Sequence, residues 1–247
     1  MPETDRDLAC MTWEEVGDDL LAADGVVVPT GSTEQHSVHL PVSVDSLRAD
    51  HLSAALVEAA PDHDLHLLRA PTLPYGDSAH HMPFPGTVTL SQDTYRDALI
   101  DIGASLAEHG AERVAFLNCH GGNREALSLA TDRLNRDHDV AAHFVHWTDF
   151  AREELEDRFG EGWGHAGDHE TSFVELVRED LVRTERKEPQ DARELPETRS
   201  YARFSDVSER GGLGDPTNSD PEFMAEVIEH TTDRILAALN EDIENGW

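Results

Sequence analysis

The sequence predicts an α/β protein: a single three-layer α/β/α domain over residues 1–247, built on a mainly parallel sheet. Short apolar runs, such as Val26-Val27-Val28 and Val114-Ala115-Phe116-Leu117, alternate with stretches of helical periodicity. Strand–helix–strand spacing of this kind calls for crossovers that lay helices over a parallel sheet. Neither an internal repeat nor an interdomain linker interrupts the 247 residues, a length that suits one large α/β domain.

Residues 11–23 read as a helix and 25–29 as a short buried strand. A helix over 45–60 follows, with Asp45 or Ser46 able to cap its start. A second strand is expected at 65–70 and an extended segment at 86–90. Ser91 caps a helix whose apolar stripe is Tyr95, Leu99, Ile102 and Leu106, and Gly110 ends it. A strand over 113–118, a helix over 123–135 and a strand over 140–146 continue the alternation, followed by a short charged helix. Residues 185–220 are rich in Pro, Gly, Ser and charge and read as a long surface loop. Asp220 and Pro221 then open a last helix with Met224, Ile228, Ile235 and Leu239 on one side.

The charge balance, 19 basic against 51 acidic residues, gives a formal net charge of −32. Such a field repels phosphates and excludes a nucleic-acid backbone as partner. No apolar stretch approaches the roughly 20 residues of a membrane span. The first ten residues are acidic and carry no signal-peptide pattern. Cys10 and Cys119 form neither a disulfide framework nor a zinc-finger spacing, so a reduced, cytoplasmic setting is expected.

In an open α/β sheet, ligands bind outside the carboxyl ends of the strands. The polar clusters fall there. Gly31-Ser32-Thr33-Glu34-Gln35-His36 follows the first strand, with Asp45 beyond it. Gly76-Asp77-Ser78-Ala79-His80-His81 follows the second, and Asn118-Cys119-His120-Gly121-Gly122-Asn123 the third. Gly164-His165-Ala166-Gly167-Asp168-His169-Glu170 lies beyond the fourth. Glu34 and His36 are two residues apart, which puts both on one face of an extended segment. Carboxylate plus imidazole suits Zn, Mn or Fe, and a shared carboxylate can bridge two ions. Four such loops on one rim point to a metal site, and Glu170 is expected to join it, directly or through water.

Gly31 to His36, His39-Leu40-Pro41 and Asp45 resemble the signature of the creatininase family of metal-dependent amidohydrolases. Phe84-Pro85-Gly86-Thr87, His120-Gly121-Gly122-Asn123, His165-Ala166-Gly167 with Glu170-Thr171-Ser172, and Gly214-Asp215-Pro216 follow in the family's order. The resemblance implies hydrolysis of a non-peptide C–N bond, amide or cyclic amide, with two divalent ions per subunit. By carry-over, Glu34, His36, Asp45 and His120 are ligands with Asp45 bridging, and His165 transfers the proton. Ser78 and His81 fall where substrate is contacted. Homo-oligomers, often hexamers, are implied too. Creatininase has a second-metal glutamate where Gly122 stands here, and a tyrosine where Gly121 stands. His-Gly-Gly-Asn is more like family branches with other substrates: a formamidopyrimidine-nucleotide deformylase and a mycofactocin-precursor peptidase. The rival from another class is a metal-binding scaffold without catalysis.

Other motifs carry less. Gly212-Leu213-Gly214 lacks the third glycine and the preceding strand of a dinucleotide site. Ser32 is not set in a nucleophile elbow. Cys119 reads as a buried strand-end thiol, and His109, His138 and His230 as solvated residues.

Lys187 is the one lysine, and acid excess with lysine depletion points to a surface adapted to high salt. Self-repulsion weakens as the Debye length falls from about 10 Å at 0.1 M to about 3 Å at 1 M. The melting temperature is therefore expected to rise between 0.1 M and molar NaCl. A flat melting temperature over that range contradicts this reading.

Overall fold

The computed structural model describes residues 6–160, 163–193 and 201–246. Among the described residues four strands, β1 (Gly25–Thr30), β2 (Leu67–Arg69), β3 (Arg113–Asn118) and β4 (Ala141–His146), form one sheet. All pairs are parallel, in the order β2-β1-β3-β4, with Val28 opposite Phe116 and Phe116 opposite Phe144. Among the described residues eight α-helices accompany them: α1 (Trp13–Leu20), α2 (Val44–Ala59), α3 (Gln92–Glu108), α4 (Arg124–Asp137), α5 (Trp147–Phe159), α6 (Asp168–Arg178), α7 (Phe204–Val207) and α8 (Pro221–Glu244).

Side chains alternate across each strand, so the two faces bury different sets. Val27, Leu67, Leu117 and Val145 pack on Leu52 and Leu56 of α2, Leu155 of α5, Phe173 of α6 and Ile235 of α8. Val26, Val28, Leu68 and Phe116 pack on Leu20 of α1, Leu99 of α3 and Leu134 of α4. Each such buried side chain contributes about 1.5–3 kcal/mol. The result is the expected three-layer α/β/α arrangement, and it makes the sheet a rigid base for its loops.

Several predicted boundaries shift. The first helix covers Trp13–Leu20 rather than 11–23, because Thr12 and Glu15 form a capping box that fixes its start. β2 keeps only Leu67–Arg69 of the predicted 65–70. The extended segment at 86–90 makes single bridges, Thr33 to Val88 and Gly76 to Thr89. Neither Asp45 nor Ser46 caps α2. Ser43 holds the cap position, and the Ser46 hydroxyl instead donates to the Ser32 carbonyl at 2.9 Å. The predicted loop at 185–220 is not confined to the surface, since Gly211 and Gly212 are buried. Residues 194–200 of that loop, and the first five residues of the acidic amino-terminal stretch, lie outside the described residues.

The strand order places a topological switch between β1 and β3. The chain leaves β1 towards β2 on one side and β3 towards β4 on the other, which opens a crevice at their carboxyl ends. Gly31 closes the first turn there: a Cβ on it would lie 2.7 Å from the Ser46 backbone, so only glycine lets the end of β1 press against α2. Asn123 ties the rim together. Its amide nitrogen donates to the Gly31 carbonyl at 3.0 Å and to Asn118 Oδ1 at 3.2 Å. Its Oδ1 accepts the Asp77 N–H at 3.0 Å. One buried side chain thus fixes the loops after β1, β2 and β3.

Candidate metal centre

The β1 loop brings Glu34 and His36 to the crevice, the first turn of α2 brings Asp45, the β3 loop His120, and the first turn of α6 Glu170. All five are buried, none more than 6% exposed. They form two groups with Asp45 in common: Glu34, Asp45 and His120, and His36, Asp45 and Glu170. In each group the ligand-type atoms lie within 4.8 Å of one another. His36 Nε2 lies 3.5 Å from Asp45 Oδ1 and 3.4 Å from Glu170 Oε2. His120 Nδ1 lies 3.1 Å from Asp45 Oδ2 and 3.3 Å from Glu34 Oε1. Most of these separations are long for hydrogen bonds. They match two ligands at about 2.0–2.2 Å from one tetrahedral ion, which stand roughly 3.4 Å apart.

Each imidazole is oriented from behind. His36 Nδ1–H donates to the Glu34 carbonyl at 3.1 Å, and His120 Nε2–H to the Asp77 carbonyl at 3.0 Å. The nitrogen facing the carboxylates is therefore bare in both neutral rings, the form a metal needs. His36 Nε2 and Asp45 Oδ2 have no hydrogen-bond partner, although both are buried. Glu34, Asp45 and Glu170 bring three negative charges, and among the described residues Arg48 is the one buried, permanently charged cation against them, at 2.9 Å from Glu170. Buried charge on this scale requires compensation. The residues present therefore fit divalent cations.

Burial pushes the His36 imidazole down, but Glu170 and Asp45 outweigh it and hold it well above its ordinary value. His120 is raised in the same way by Glu34 and Asp45. Burial pushes Asp45 and Glu170 up, and the neighbouring cationic groups, His36 first, reverse it and hold both low. His165 is lowered by burial, and His81 by burial and the surrounding histidines. Burial pushes the Cys119 thiol up, which fits its reading as an inert strand-end cysteine.

A cavity of about 310 Å³ opens on the centre, lined by His81, His165, Gly121, Gly122, Trp147 and Trp163 among others. His165 Nδ1 faces Glu34 Oε1 at 3.6 Å. Ser78 differs from expectation: it does not line the cavity but sits behind Glu34, donating to Oε2 at 2.6 Å. A side chain at position 122 has no room, since its Cβ would lie 2.1 Å from the Asp77 carbonyl oxygen. At position 121 the space is open. A larger depression of about 870 Å³ lies at the opposite edge of the sheet, by His138 and Asp242. Among the described residues it holds no group of three ligand-type side chains able to share an ion.

Sequence reasoning missed Arg48, Gln35 and Phe204. Arg48 lies one helical turn after Asp45 on the same face, a legible spacing. It holds Glu170 and sits 4.7 Å over the Trp147 ring. Phe204, the first residue of α7, stacks on His81 at 4.5 Å and has no sequence signal for that role.

This constellation, at the switch point of a parallel sheet, is a candidate divalent-metal centre. The creatininase family pattern, described as creatinine amidohydrolase, matches residues 9–239. A mycofactocin precursor peptide peptidase of Mycolicibacterium smegmatis is 34% identical over 220 residues, 85% of this chain and 83% of that protein. A creatinine amidohydrolase of Pseudomonas putida is 30% identical over 195 residues, 71% of this chain and 73% of that protein. A crystal structure of creatinine amidohydrolase superposes with a TM-score of 0.85 at 24% identity, covering 96% of this chain and 97% of that one. The chain belongs to the creatininase family, whose members hydrolyse C–N bonds.

The raised imidazoles add stability to the metal-free fold that is fully present below about pH 6.5. It is lost as pH rises through their folded values. The lowered Asp45 and Glu170 add stability present above about pH 4 and lost as pH falls through their folded values. A metal competes with the imidazole protons, so its binding strengthens as pH rises. The melting-temperature gain of zinc-loaded over chelated protein is expected to be larger at pH 8.5 than at pH 5.5. Each kcal/mol gained is worth roughly 2–4 °C at this chain size. An equal gain at both pH values contradicts the assignment of His36 and His120.

Proposed function

We propose that this protein hydrolyses an amide C–N bond with two divalent ions, Zn, Mn or Fe, held on either side of a bridging Asp45. Glu34 and His120 complete one site, and His36 and Glu170 the other. The observation that carries this reading is the pair of ligand groups sharing Asp45. When bound, such a pair activates water and polarises the substrate carbonyl. Glu170 replaces the carboxylate that creatininase has at the Gly122 position. Two facts support this: position 122 has no space for a side chain, and Glu170 Oε2 faces His36. The Ala166 N–H and Arg48 hold the Glu170 carboxylate at 2.6 and 2.9 Å.

His165 presents an unprotonated Nδ1 to the centre, because its Nε2–H donates to the Gln35 carbonyl at 2.7 Å. It takes a proton from the attacking water and returns it to the leaving nitrogen, whose anion is a poor leaving group. His81, also on the cavity wall, orients the substrate. Ser78 acts through Glu34 rather than on substrate.

The substrate class we favour is a short peptide or similar open-chain amide. The open position 121 and the 34% identity to a peptidase support it. Creatinine is the second reading, favoured by the 30% identity to a creatinine amidohydrolase. We further propose a single cytoplasmic domain that assembles as a homo-oligomer. Among the described residues no helix is long and apolar enough to cross a membrane.

The test is metal analysis of protein purified in high salt, with turnover of short peptides and creatinine. Asp45→Ala is expected to lose both ions and all activity. His165→Ala keeps its metal and loses roughly 10²–10⁴ in kcat. Glu170→Gln keeps a partner for Arg48 but loses one ion, and excess metal partly restores activity. Full metal and turnover in Asp45→Ala overturns the bridging role. Two bound ions with no turnover of any amide favours the scaffold reading.

A further inference from the structure

Gln35 lies between two proposed ligands and touches neither proposed metal position. It is 4% exposed, and its side chain points away from Glu34 and His36, towards His81 and the 208–212 loop. Its amide orientation is fixed by two backbone groups. Oε1 accepts the Ser37 N–H at 2.9 Å, and Nε2 donates to the Gly211 carbonyl at 2.9 Å. Exchanging oxygen and nitrogen would set donor against donor and acceptor against acceptor at these two contacts. The Gly211 backbone reaches this position because it is glycine. Its φ is +81°, and a Cβ there would lie 2.0 Å from Gln35 Oε1.

The second Nε2 hydrogen points to His81 Nδ1 at 2.7 Å. His81 Nδ1 must therefore accept, and its own proton sits on Nε2. That nitrogen faces Glu34 Oε1 at 3.4 Å. His165 Nε2 lies 2.7 Å from the Gln35 carbonyl, which can only accept, so this ring also carries its proton on Nε2. The Gln35 Nε2 atom stands 3.1 Å from the same His165 nitrogen, a contact between two donors with no hydrogen bond. The two histidines share a tautomer but turn opposite edges to the centre. His81 shows an N–H and His165 shows a bare Nδ1.

We propose that Gln35 is a positioning residue that makes His81 a hydrogen-bond donor and His165 a proton acceptor towards the reacting centre. The side-chain amide sets the first and the backbone carbonyl the second. This rests on the reading of the centre as an amide hydrolase. In that reaction His81 donates to the substrate carbonyl oxygen as charge builds there, while His165 receives the proton of the attacking water. The arrangement also denies His81 Nε2 to a metal, so the Glu34, His80 and His81 group does not act as a third ion site.

The experiment is ¹⁵N NMR of histidine-labelled, zinc-loaded protein in high salt, with signals assigned through His81→Asn and His165→Asn. In the parent, both rings are expected to be protonated at Nε2. Gln35→Met keeps the side-chain length but removes the amide. His81 should then become a mixture of tautomers while His165 stays protonated at Nε2, since the backbone carbonyl remains. Bound metal should stay unchanged, and kcat should fall by about tenfold to a hundredfold, with KM changed far less. Should Gln35→Met fail to fold, the parent spectrum alone decides. A parent His81 protonated at Nδ1, or an unchanged His81 tautomer in Gln35→Met, overturns the proposal. The tautomers are read without turnover, so an absence of amide hydrolysis rejects the proposed function and leaves this test standing.

Discussion

Three carboxylates converge in a buried crevice, and that concentration of charge has to be compensated. Asp45 is the centre of it, buried among two imidazoles and adjacent to both other carboxylates by way of them. Its position comes from packing, not from charge. Gly31 lets β1 end against the first turn of α2, and the Ser46–Ser32 hydrogen bond fixes that contact. The two hydrophobic clusters on either face of the sheet supply the stability that the crevice gives up. Buried ions cost several kcal/mol each unless opposed, so the centre is built to be completed by cations.

In the proposed ligand set, Glu170 takes the place of a side chain that position 122 cannot carry. At Gly122 the backbone runs against the Asp77 carbonyl and leaves no room for a side chain. Glu170, entering from α6, stands on the far side of His36 instead. It brings its own support in Arg48, which rests between the Trp147 and Phe173 rings at 4.7 and 5.4 Å. A planar guanidinium suits that slot, since it can stack on rings and donate to a carboxylate at once. At the neighbouring position 121 the space is open and faces the cavity.

Much of this was legible in the sequence. The four strands, the main helices and the rim of polar loops follow from periodicity and glycine placement. Glu34 and His36 share a face because an extended chain repeats every two residues. What the sequence did not yield depends on long-range contact. Nothing local in the sequence tells that the Ser78 hydroxyl bonds Glu34, 44 positions away. Gln35 looks like a spacer between two ligands, yet its work is done against Gly211, 176 positions away. Phe204 comes from a segment with no periodic pattern at all. The cap of α2 was misplaced because Asp45, a good capping residue by type, is spent on the centre instead.

Crystals grown in high salt with zinc, measured at the zinc absorption edge, decide whether Asp45 lies between two ions. Two anomalous peaks flanking the Asp45 carboxylate, about 3.5–4 Å apart, are expected. One lies against Glu34 and His120, the other against His36 and Glu170. A single peak, or a peak held by Glu34, His80 and His81 with Glu170 left on Arg48 alone, contradicts that placement.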